Sequence, residues 1–155
     1  MKIYIGTDHA GFELKEELKI FLENLGCEVE DKGAYEFNEA DDYPDFIFPV
    51  VKAVAEDIAR DLDSRGIVIG GSGQGEAIVA NKVKGIRAAV VYDEYSAKMS
   101  REHNDANILS LGTRTLTISK AKDLVKLWLE TPFSNEERHK RRIEKIKAIE
   151  NNTLY

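Results

Sequence analysis

The sequence predicts an α/β domain built on an open, mostly parallel sheet of five strands. Short apolar segments alternate with amphipathic helical segments along the whole chain, which is the pattern of β–α–β units with right-handed crossovers. Two of the strand segments, 66–69 and 86–91, are largely apolar, as expected for strands that are buried on both faces of a parallel sheet. The 155 residues are enough for a single domain, residues 1–155, with a sizeable core.

The elements follow one another from the amino terminus. Strands are predicted at 2–6, 27–29, 66–69, 86–91 and 108–111, and apolar residues spaced three or four apart predict helices over 14–25, 47–58, 77–80, 95–103 and 121–129. The acidic, turn-rich stretch 34–45 is expected to be a surface loop. Pro49 is expected near the start of its helix, because a proline inside a helix removes a hydrogen bond.

The segment 134–150 predicts an extra helix at the carboxyl terminus. Ser134 and Glu137 have the spacing of a capping box. Ile143, Ile146 and Ile149 recur every three residues and form a narrow apolar stripe on a helix that is otherwise charged. Such a stripe can pack on a second subunit as easily as on the helix's own domain.

The composition excludes several classes of function. The formal net charge of −6 makes nucleic acid and anionic membranes poor partners. Cys27 is the single cysteine, so the chain can form neither an internal disulfide nor a cysteine-rich zinc site. The sequence shows no signal peptide or membrane span, and we expect a cytoplasmic protein.

A glycine-rich turn is the strongest functional signal. The apolar segment 67–69 runs into Gly70-Gly71-Ser72-Gly73-Gln74-Gly75-Glu76, and a helical pattern follows at once. Glycines let the backbone approach a ligand, and a helix N-terminus offers free N–H groups to an anion. At a spacing of four, Ser72 and Glu76 are expected to share one helix face. A carboxylate beside an oxyanion cradle suits proton abstraction next to a carbonyl.

This turn matches neither common nucleotide-binding fingerprint. No Lys-Ser or Lys-Thr follows the glycines, as a P-loop requires, and Glu76 stands where the dinucleotide motif has its last glycine. A turn of this kind also forms between a strand and a helix that bind no ligand, so both interpretations stay open at this point.

Polar residues also follow other predicted elements. Thr7-Asp8-His9 follows the first strand, Gly112-Thr113-Arg114 follows the last strand, and His103-Asn104-Asp105 ends the helix after the fourth strand. Ligands of open α/β sheets bind at the carboxyl ends of strands, so these groups are candidates for one active site. Asp8 also fits a helix cap, and His103 fits either a general acid/base or a surface histidine near a helix end.

One dense basic cluster, residues 137–142, stands out in this acidic chain. Arg138 and Arg142 are four residues apart and face the same way on a helix, and two guanidinium groups on one face fit a phosphate. The alternative is a solvated helix face paired with nearby glutamates. The three histidines have no cysteine partner at ligand spacing, so we predict no metal site.

These residues together resemble the ribose-5-phosphate isomerase B family, which also contains galactose-6-phosphate and allose-6-phosphate isomerases. The matching segments are 6–15 (Gly6-Thr7-Asp8-His9-Ala10-Gly11-Phe12-Glu13-Leu14-Lys15), 42–45 (Asp42-Tyr43-Pro44-Asp45), 70–76, 80–82, 85–89, 100–107 (Ser100-Arg101-Glu102-His103-Asn104-Asp105-Ala106-Asn107) and 138–143 (Arg138-His139-Lys140-Arg141-Arg142-Ile143). They occur in order along nearly the whole chain and are jointly specific for this family.

The resemblance implies a Rossmann-like three-layer α/β/α sandwich that forms a homodimer or a dimer of dimers, with active sites shared between subunits. It implies interconversion of an aldose phosphate and a ketose phosphate through an enediolate, without a metal or an organic cofactor. Many family members carry a cysteine base at the position of Gly70. This chain is similar to the subgroup with a glutamate base, here Glu76, for which ribose 5-phosphate is the expected substrate.

The resemblance also implies roles for individual residues. Glu76 is expected to be the catalytic base, and His103 the acid/base that opens the sugar ring. The expected substrate-binding residues are Asp8, His9, Gly71, Ser72, Gly73, Gln74, Gly75, Asn104, Arg114, Arg138 and Arg142. The sequence leaves open which subunit supplies Arg138 and Arg142. It also leaves open the pKa of Glu76, which a helix N-terminus lowers and partial burial raises.

Other functions remain possible from the sequence alone. The nearest is the same chemistry on a six-carbon sugar phosphate, which the depth of the pocket decides and to which Tyr43 and the loop 34–45 are expected to contribute. A non-catalytic module for a phosphorylated metabolite or nucleotide needs the glycine turn and the arginines, but neither Glu76 nor His103. A redox flavoprotein has only an analogy of fold in its favour.

Overall fold

The computed structural model describes residues 1–153 as a five-stranded sheet with helices on both faces. The elements are β1 (Lys2–Thr7), α1 (Phe12–Asn24), β2 (Glu28–Asp31), α2 (Pro44–Ile58), β3 (Ser64–Gly70), α3 (Gln74–Ala80), β4 (Ala88–Val90), α4 (Glu94–Glu102), β5 (Ile108–Gly112), α5 (Ile118–Glu130) and α6 (Glu137–Glu150), with a short 3₁₀ turn at His9–Gly11. The strand order is β2-β1-β3-β5-β4, and every pairing is parallel. The predicted α/β sandwich is confirmed.

The core lies in two layers, one on each face of the sheet. On one face α1, α4 and α5 pack together. Leu14, Leu18 and Leu22 recur every four residues and so lie on the buried side of α1, and Trp128 of α5 fills the same layer. On the other face α2 and α3 cover the sheet with residues such as Val54. Because both faces are covered, β3 is buried almost throughout, which explains its apolar sequence.

The carboxyl ends of β1, β3 and β5 lie side by side at one edge of the sheet. Thr7 is paired with Ile69, and Gly70 with Gly112, so the three strands end at the same level. The chain goes from β1 to β2 on one side and later enters β3 on the other side. In open α/β sheets, ligands bind at the carboxyl ends of the strands where the strand order reverses in this way.

The connection between α4 and β5 lies at the opposite edge. Helix α4 starts after the carboxyl end of β4 and returns the chain to the amino end of β5, so His103 and Asn104 lie at the amino edge. Arg87, just before β4, fixes this connection: its Nε donates to the carbonyl oxygen of Asn104 at 2.7 Å, and its Nη2 donates to that of Asp105 at 2.7 Å. The end of α4 is therefore remote from the glycine turn.

The start of the last helix differs from the prediction. Helix α6 begins at Glu137, its N-cap residue is Glu136, and no side chain caps it. The predicted capping box of Ser134 and Glu137 is therefore wrong. Ser134 makes other hydrogen bonds: its backbone N–H donates to Glu102 at 3.1 Å, and its Oγ accepts from the backbone N–H of Glu136 at 3.4 Å.

Two smaller differences concern α2 and β4. Pro44 occupies the first position of α2, where a missing N–H costs nothing, but Pro49 lies inside the helix rather than near its start. Strand β4 is shorter than the predicted 86–91. Within residues 1–153 no helix has both the length and the apolar character needed to cross a lipid bilayer.

Candidate active site

The glycine turn packs directly on the end of β5. Gly73 has φ +77°, in the left-handed region that favours glycine, and it is the N-cap residue of α3. Ser110 Oγ donates to the carbonyl oxygen of Gly73 at 2.6 Å. A Cβ at Gly112 would lie 2.7 Å from the carbonyl carbon and oxygen of Ser72, so only glycine allows this approach. The contact between the two strand ends thus fixes the turn.

Glu76 lies in the first turn of α3 with its carboxylate against Gly70. A Cβ at residue 70 would overlap Oε1 and Cδ of Glu76, so the absence of a side chain there makes room for the carboxylate. Glu76 is only 4% exposed. Burial raises its pKa above the ordinary value, Asp8 adds to this rise, and a hydrogen bond from the backbone N–H of Glu76 itself opposes it. The net shift of the pKa is upward, so burial outweighs that hydrogen bond.

Ser72 precedes α3, which begins at Gln74, and so it does not share a helix face with Glu76 as the spacing predicted. Its Oγ instead accepts a hydrogen bond from the backbone N–H of Gln74 at 3.3 Å. The backbone N–H groups of Ser72, Gly73 and Gly75 find no acceptor within the described part of the chain. They are available to an anionic oxygen.

Two side chains cover the turn. The Arg114 guanidinium lies over Gly71, where a Cβ would be 3.1 Å from its Cζ, and the Arg114 backbone N–H donates to Gly71 at 3.0 Å. The Tyr43 ring lies against Gly75, where a Cβ would be 2.8 Å from the ring's Cζ. The turn therefore has a cation on one side and a phenol on the other. Tyr43 is the residue that the sequence associated with pocket depth.

Hydrogen bonds tie the strand ends together below the turn. Thr7 Oγ1 donates to the carbonyl oxygen of Ile69 at 2.8 Å and so joins β1 to β3. Thr113 Oγ1 donates to the carbonyl oxygen of Ala10 at 3.0 Å and joins the end of β5 to the segment after β1. These threonines are buried or half-buried, and their hydrogen bonds hold the strand ends together below the turn.

His9 is paired with a carboxylate that the sequence did not single out. Asp41 Oδ1 accepts a hydrogen bond from the backbone N–H of His9 at 3.2 Å and lies 2.6 Å from His9 Nδ1. This pairing raises the pKa of His9 above its ordinary value, although desolvation opposes the rise. Asp41 stands among several acidic residues in the loop predicted over 34–45, and only a tertiary contact distinguishes it from them.

Asp8, His9 and Asp41 are the one group within residues 1–153 whose donor atoms lie close enough for a metal ion, all within 4.8 Å. His9 Nδ1 and Asp41 Oδ1 are hydrogen-bonded to each other, and Asp8 Oδ1 accepts from the backbone N–H of Ala10 at 3.0 Å, as a helix cap does. Burial raises the pKa of Asp8, against the effect of that hydrogen bond. We interpret these residues as a hydrogen-bonded charge cluster, and the lack of a metal stays a prediction.

A second polar site surrounds His103. Its ring stacks on that of His139, with centroids 4.3 Å apart and planes 9° from parallel. His139 is 1% exposed, and neither of its ring nitrogens has a hydrogen-bond partner within the described residues. Burial lowers the pKa of His139, and the nearby His103 lowers it further. The lowered pKa favours the neutral form of His139, the ring that is stacked on His103.

The sequence assigned no catalytic or binding role to His139, because the contact between α4 and α6 has no signature in residue spacing. Arg138 and Arg142 flank His139 in the first two turns of α6 and are exposed. Arg138 Nε donates to Glu136 Oε2 at 2.8 Å. Asn104, which follows His103, is also exposed. The guanidinium and amide groups around the two histidines are thus accessible to a ligand.

The candidate residues fall into two groups at opposite edges of the sheet. The glycine-turn group consists of Asp8, His9, Gly71, Ser72, Gly73, Gln74, Gly75, Glu76 and Arg114. The histidine group consists of His103, Asn104, Arg138, His139 and Arg142. Strand β5 has 5 residues, which at about 3.3 Å per residue separate the two edges by about 15 Å. Within one chain, the residues of each group lie close to one another, but the two groups are far apart.

Comparison with known proteins gives a consistent result. The chain matches the family described as Ribose/Galactose Isomerase over residues 3–146. The ribose-5-phosphate isomerase B of Escherichia coli is 44% identical over 96% of this chain and 96% of its own length. That of Mycolicibacterium paratuberculosis is 43% identical over 97% of this chain and 92% of its own length.

Solved structures agree in fold and in sequence. The ribose-5-phosphate isomerase B of Clostridium thermocellum has a TM-score of 0.90 and 51% identity, covering 98% of this chain and 99% of its own. The enzyme of Mycoplasma genitalium, solved with bound ribulose-5-phosphate, has a TM-score of 0.92 and 39% identity, covering 98% of this chain and 97% of its own. With a match over nearly its whole length, the chain belongs to the ribose/galactose isomerase family.

Proposed function

We propose that this chain interconverts ribose 5-phosphate and ribulose 5-phosphate through an enediolate. The observation that carries the proposal is the buried Glu76 carboxylate, which lies beside unpaired backbone N–H groups in a member of a sugar isomerase family. Relatives that are 43% and 44% identical are named ribose-5-phosphate isomerase B, and a 39% identical structure holds ribulose-5-phosphate. The turn and the carboxylate supply what an aldose–ketose isomerisation needs.

The reaction moves one hydrogen from C2 to C1 and one from O2 to O1. Glu76 removes the proton from C2 and returns it to C1, so the base is regenerated in each cycle. The free backbone N–H groups of the turn 71–75 and the Ser72 hydroxyl stabilise the negative charge that develops on the substrate oxygen. The raised pKa of Glu76 brings this base closer to neutral pH, where general bases are most effective.

Cations at the site fit the substrate phosphate. His9 and Arg114 lie at the carboxyl edge of one chain, and Asp8 beside them accepts hydrogen bonds from sugar hydroxyls. Arg138 and Arg142 supply two further guanidinium groups from the histidine group. These four side chains offer cationic partners to an anionic substrate, although the net charge of the chain is −6.

The complete site requires a second copy of the chain. His103 opens the sugar ring, and Asn104 holds the same part of the substrate, but both belong to the edge opposite Glu76. An isologous dimer places the histidine group of one subunit over the glycine turn of the other, twice. Exposed Ile78, Tyr92 and Tyr95 offer the apolar contact that a subunit interface needs. A homodimer or a dimer of dimers satisfies this geometry, and a cytoplasmic location is part of the same proposal.

Substitution of Glu76 by glutamine tests the base directly. Shape and hydrogen bonding survive the change, but the amide cannot accept the C2 proton. We expect kcat for ribulose 5-phosphate formation to fall about 1,000-fold and KM to stay within about threefold. The native chain is assayed alongside it, with and without EDTA, and is expected to turn over equally well in both.

Other outcomes of that assay would point elsewhere. A near-native kcat for the glutamine variant would move the base to another residue. Inactive but folded native protein would direct attention to allose and galactose 6-phosphates, and then to a binding module without catalysis. Loss of native activity in EDTA would assign a metal to Asp8, His9 and Asp41.

Gly70→Ala tests whether the carboxylate needs the bare backbone of residue 70. Gly70 does not have a positive φ, so alanine fits the strand, but its Cβ displaces the Glu76 carboxylate. We expect kcat to fall about tenfold or more with little change in KM, since small misplacements of a catalytic group are costly. Gly71→Ala is the matched control, because its Cβ meets Arg114 instead and should raise KM. Native kcat in Gly70→Ala would contradict the assigned contact.

His103→Asn separates ring opening from proton abstraction. Ribose 5-phosphate is mainly a closed furanose, whereas a four-carbon aldose 4-phosphate lacks the free hydroxyl that closes such a ring. We expect the variant to lose about 100-fold in kcat on ribose 5-phosphate and about threefold or less on the four-carbon substrate. Equal losses on both substrates would remove His103 from ring opening.

A further inference from the structure

Asp41 is a buried carboxylate next to the proposed substrate site, and the proposed mechanism gives it no role. It lies in the loop before α2, yet its side chain is only 6% exposed. Its Oδ1 receives the backbone N–H of His9 at 3.2 Å and faces His9 Nδ1 at 2.6 Å. Acidic side chains in surface loops are usually exposed to solvent. The burial of Asp41 against His9 is therefore unusual for its position.

The other carboxylate oxygen of Asp41 is also removed from solvent. Oδ2 is buried and has no hydrogen-bond partner within the described residues. A buried carboxylate is costly unless a positive charge compensates it. The His9 ring is the titratable group in direct contact with it, so a protonated His9 is the partner that balances the charge.

The remaining charges around His9 are also negative. Asp8 Oδ2 lies 4.0 Å from His9 Nδ1, and the exposed Glu39 adds a more distant charge. On its other side the ring meets the edge of Phe37, with centroids 6.2 Å apart. His9 is therefore a potential cation in an acidic pocket, with one ring nitrogen bound to Asp41 and the other left for a ligand.

We propose that Asp41 is a positioning residue that keeps His9 protonated and aims its Nε2–H at the substrate phosphate. The inference rests on the proposed function, in which His9 binds that phosphate. The Nδ1–H donated to Asp41 fixes the plane of the ring, and the carboxylate holds the second proton on the imidazole. A charged donor binds phosphate more strongly than a neutral one, so Asp41 acts on substrate affinity through His9.

The pH dependence of KM in Asp41→Asn tests this role. Asparagine keeps the shape and can still accept from His9, but it removes the charge that favours the imidazolium. Below the ordinary histidine pKa, at about pH 5.5, His9 is protonated in both proteins, and the ratio of variant to native KM for ribose 5-phosphate is expected to be near 1. At about pH 8 the ratio is expected to reach about tenfold, the effect of losing one charged hydrogen bond to phosphate. We expect kcat to stay within about twofold, because the substitution weakens substrate binding and leaves the chemical step unchanged.

Two controls separate this role from a merely structural one. Glu36→Gln removes a negative charge from an exposed position of the same loop, and its KM ratio is expected to stay near 1 at both pH values. In a His9→Asn background, Asp41→Asn is expected to add nothing to KM, because the residue through which it acts is gone. The substrate phosphate also titrates in this range, but its effect is common to variant and native and cancels in the ratio.

The native protein provides a test that needs no variant. The His9 ring, followed by nitrogen-detected NMR, is expected to titrate at a higher pH than free histidine. A KM ratio that is the same at both pH values, a full Asp41→Asn effect in the His9→Asn background, or a His9 ring that titrates below free histidine would each overturn the proposal. If the native chain fails to isomerise ribose 5-phosphate, the proposed function fails instead, and the NMR titration still decides whether Asp41 holds the proton on His9.

Discussion

The contact between the Glu76 carboxylate and the bare backbone of Gly70 is the constraint on which the rest of the site depends. It requires α3 to begin close above the end of β3, and this in turn requires the left-handed Gly73 and the close approach of Gly112 to Ser72. The same contact buries the carboxylate and raises its pKa. The position of the Glu76 carboxylate and its raised pKa therefore have the same structural cause. A chain with a side chain at residue 70 has no room for the Glu76 carboxylate in this position.

The topology of the sheet imposes a second constraint. Parallel strands joined by helices place the end of α4 at the edge opposite the glycine turn, however the side chains are chosen. His103 and its stacked neighbour His139 thus lie together within one chain, at the edge opposite Glu76. In the proposed dimer the carboxyl edge of one chain faces the amino edge of the other, and this arrangement unites the two groups. Under the proposed shared site, catalysis depends on assembly, because separated subunits keep Glu76 but lose the His103 of the other copy.

The sequence predicted the fold well because its signals are local. Apolar strands, helical periodicity and the glycine turn each lie within a few residues, and the structure places them as expected. The predictions that failed involve competition for hydrogen bonds, as for Ser134, or the start of a helix, as for Ser72. Asp41 and His139 carried no local signal at all, since one contacts His9 across 32 residues and the other contacts a ring from a different helix. Residue spacing does not encode such contacts.

The most direct test of the shared site is to combine two inactive chains. Glu76→Gln and His103→Asn chains carry different affinity tags, are unfolded and refolded together, and the mixed dimers are isolated. In a shared site one of the two active sites of each mixed dimer has both native residues, so the mixed dimers are predicted to regain about half of native activity. Mixed dimers that stay inactive, or an active native chain that remains a monomer, would show that Glu76 and His103 do not act together across subunits.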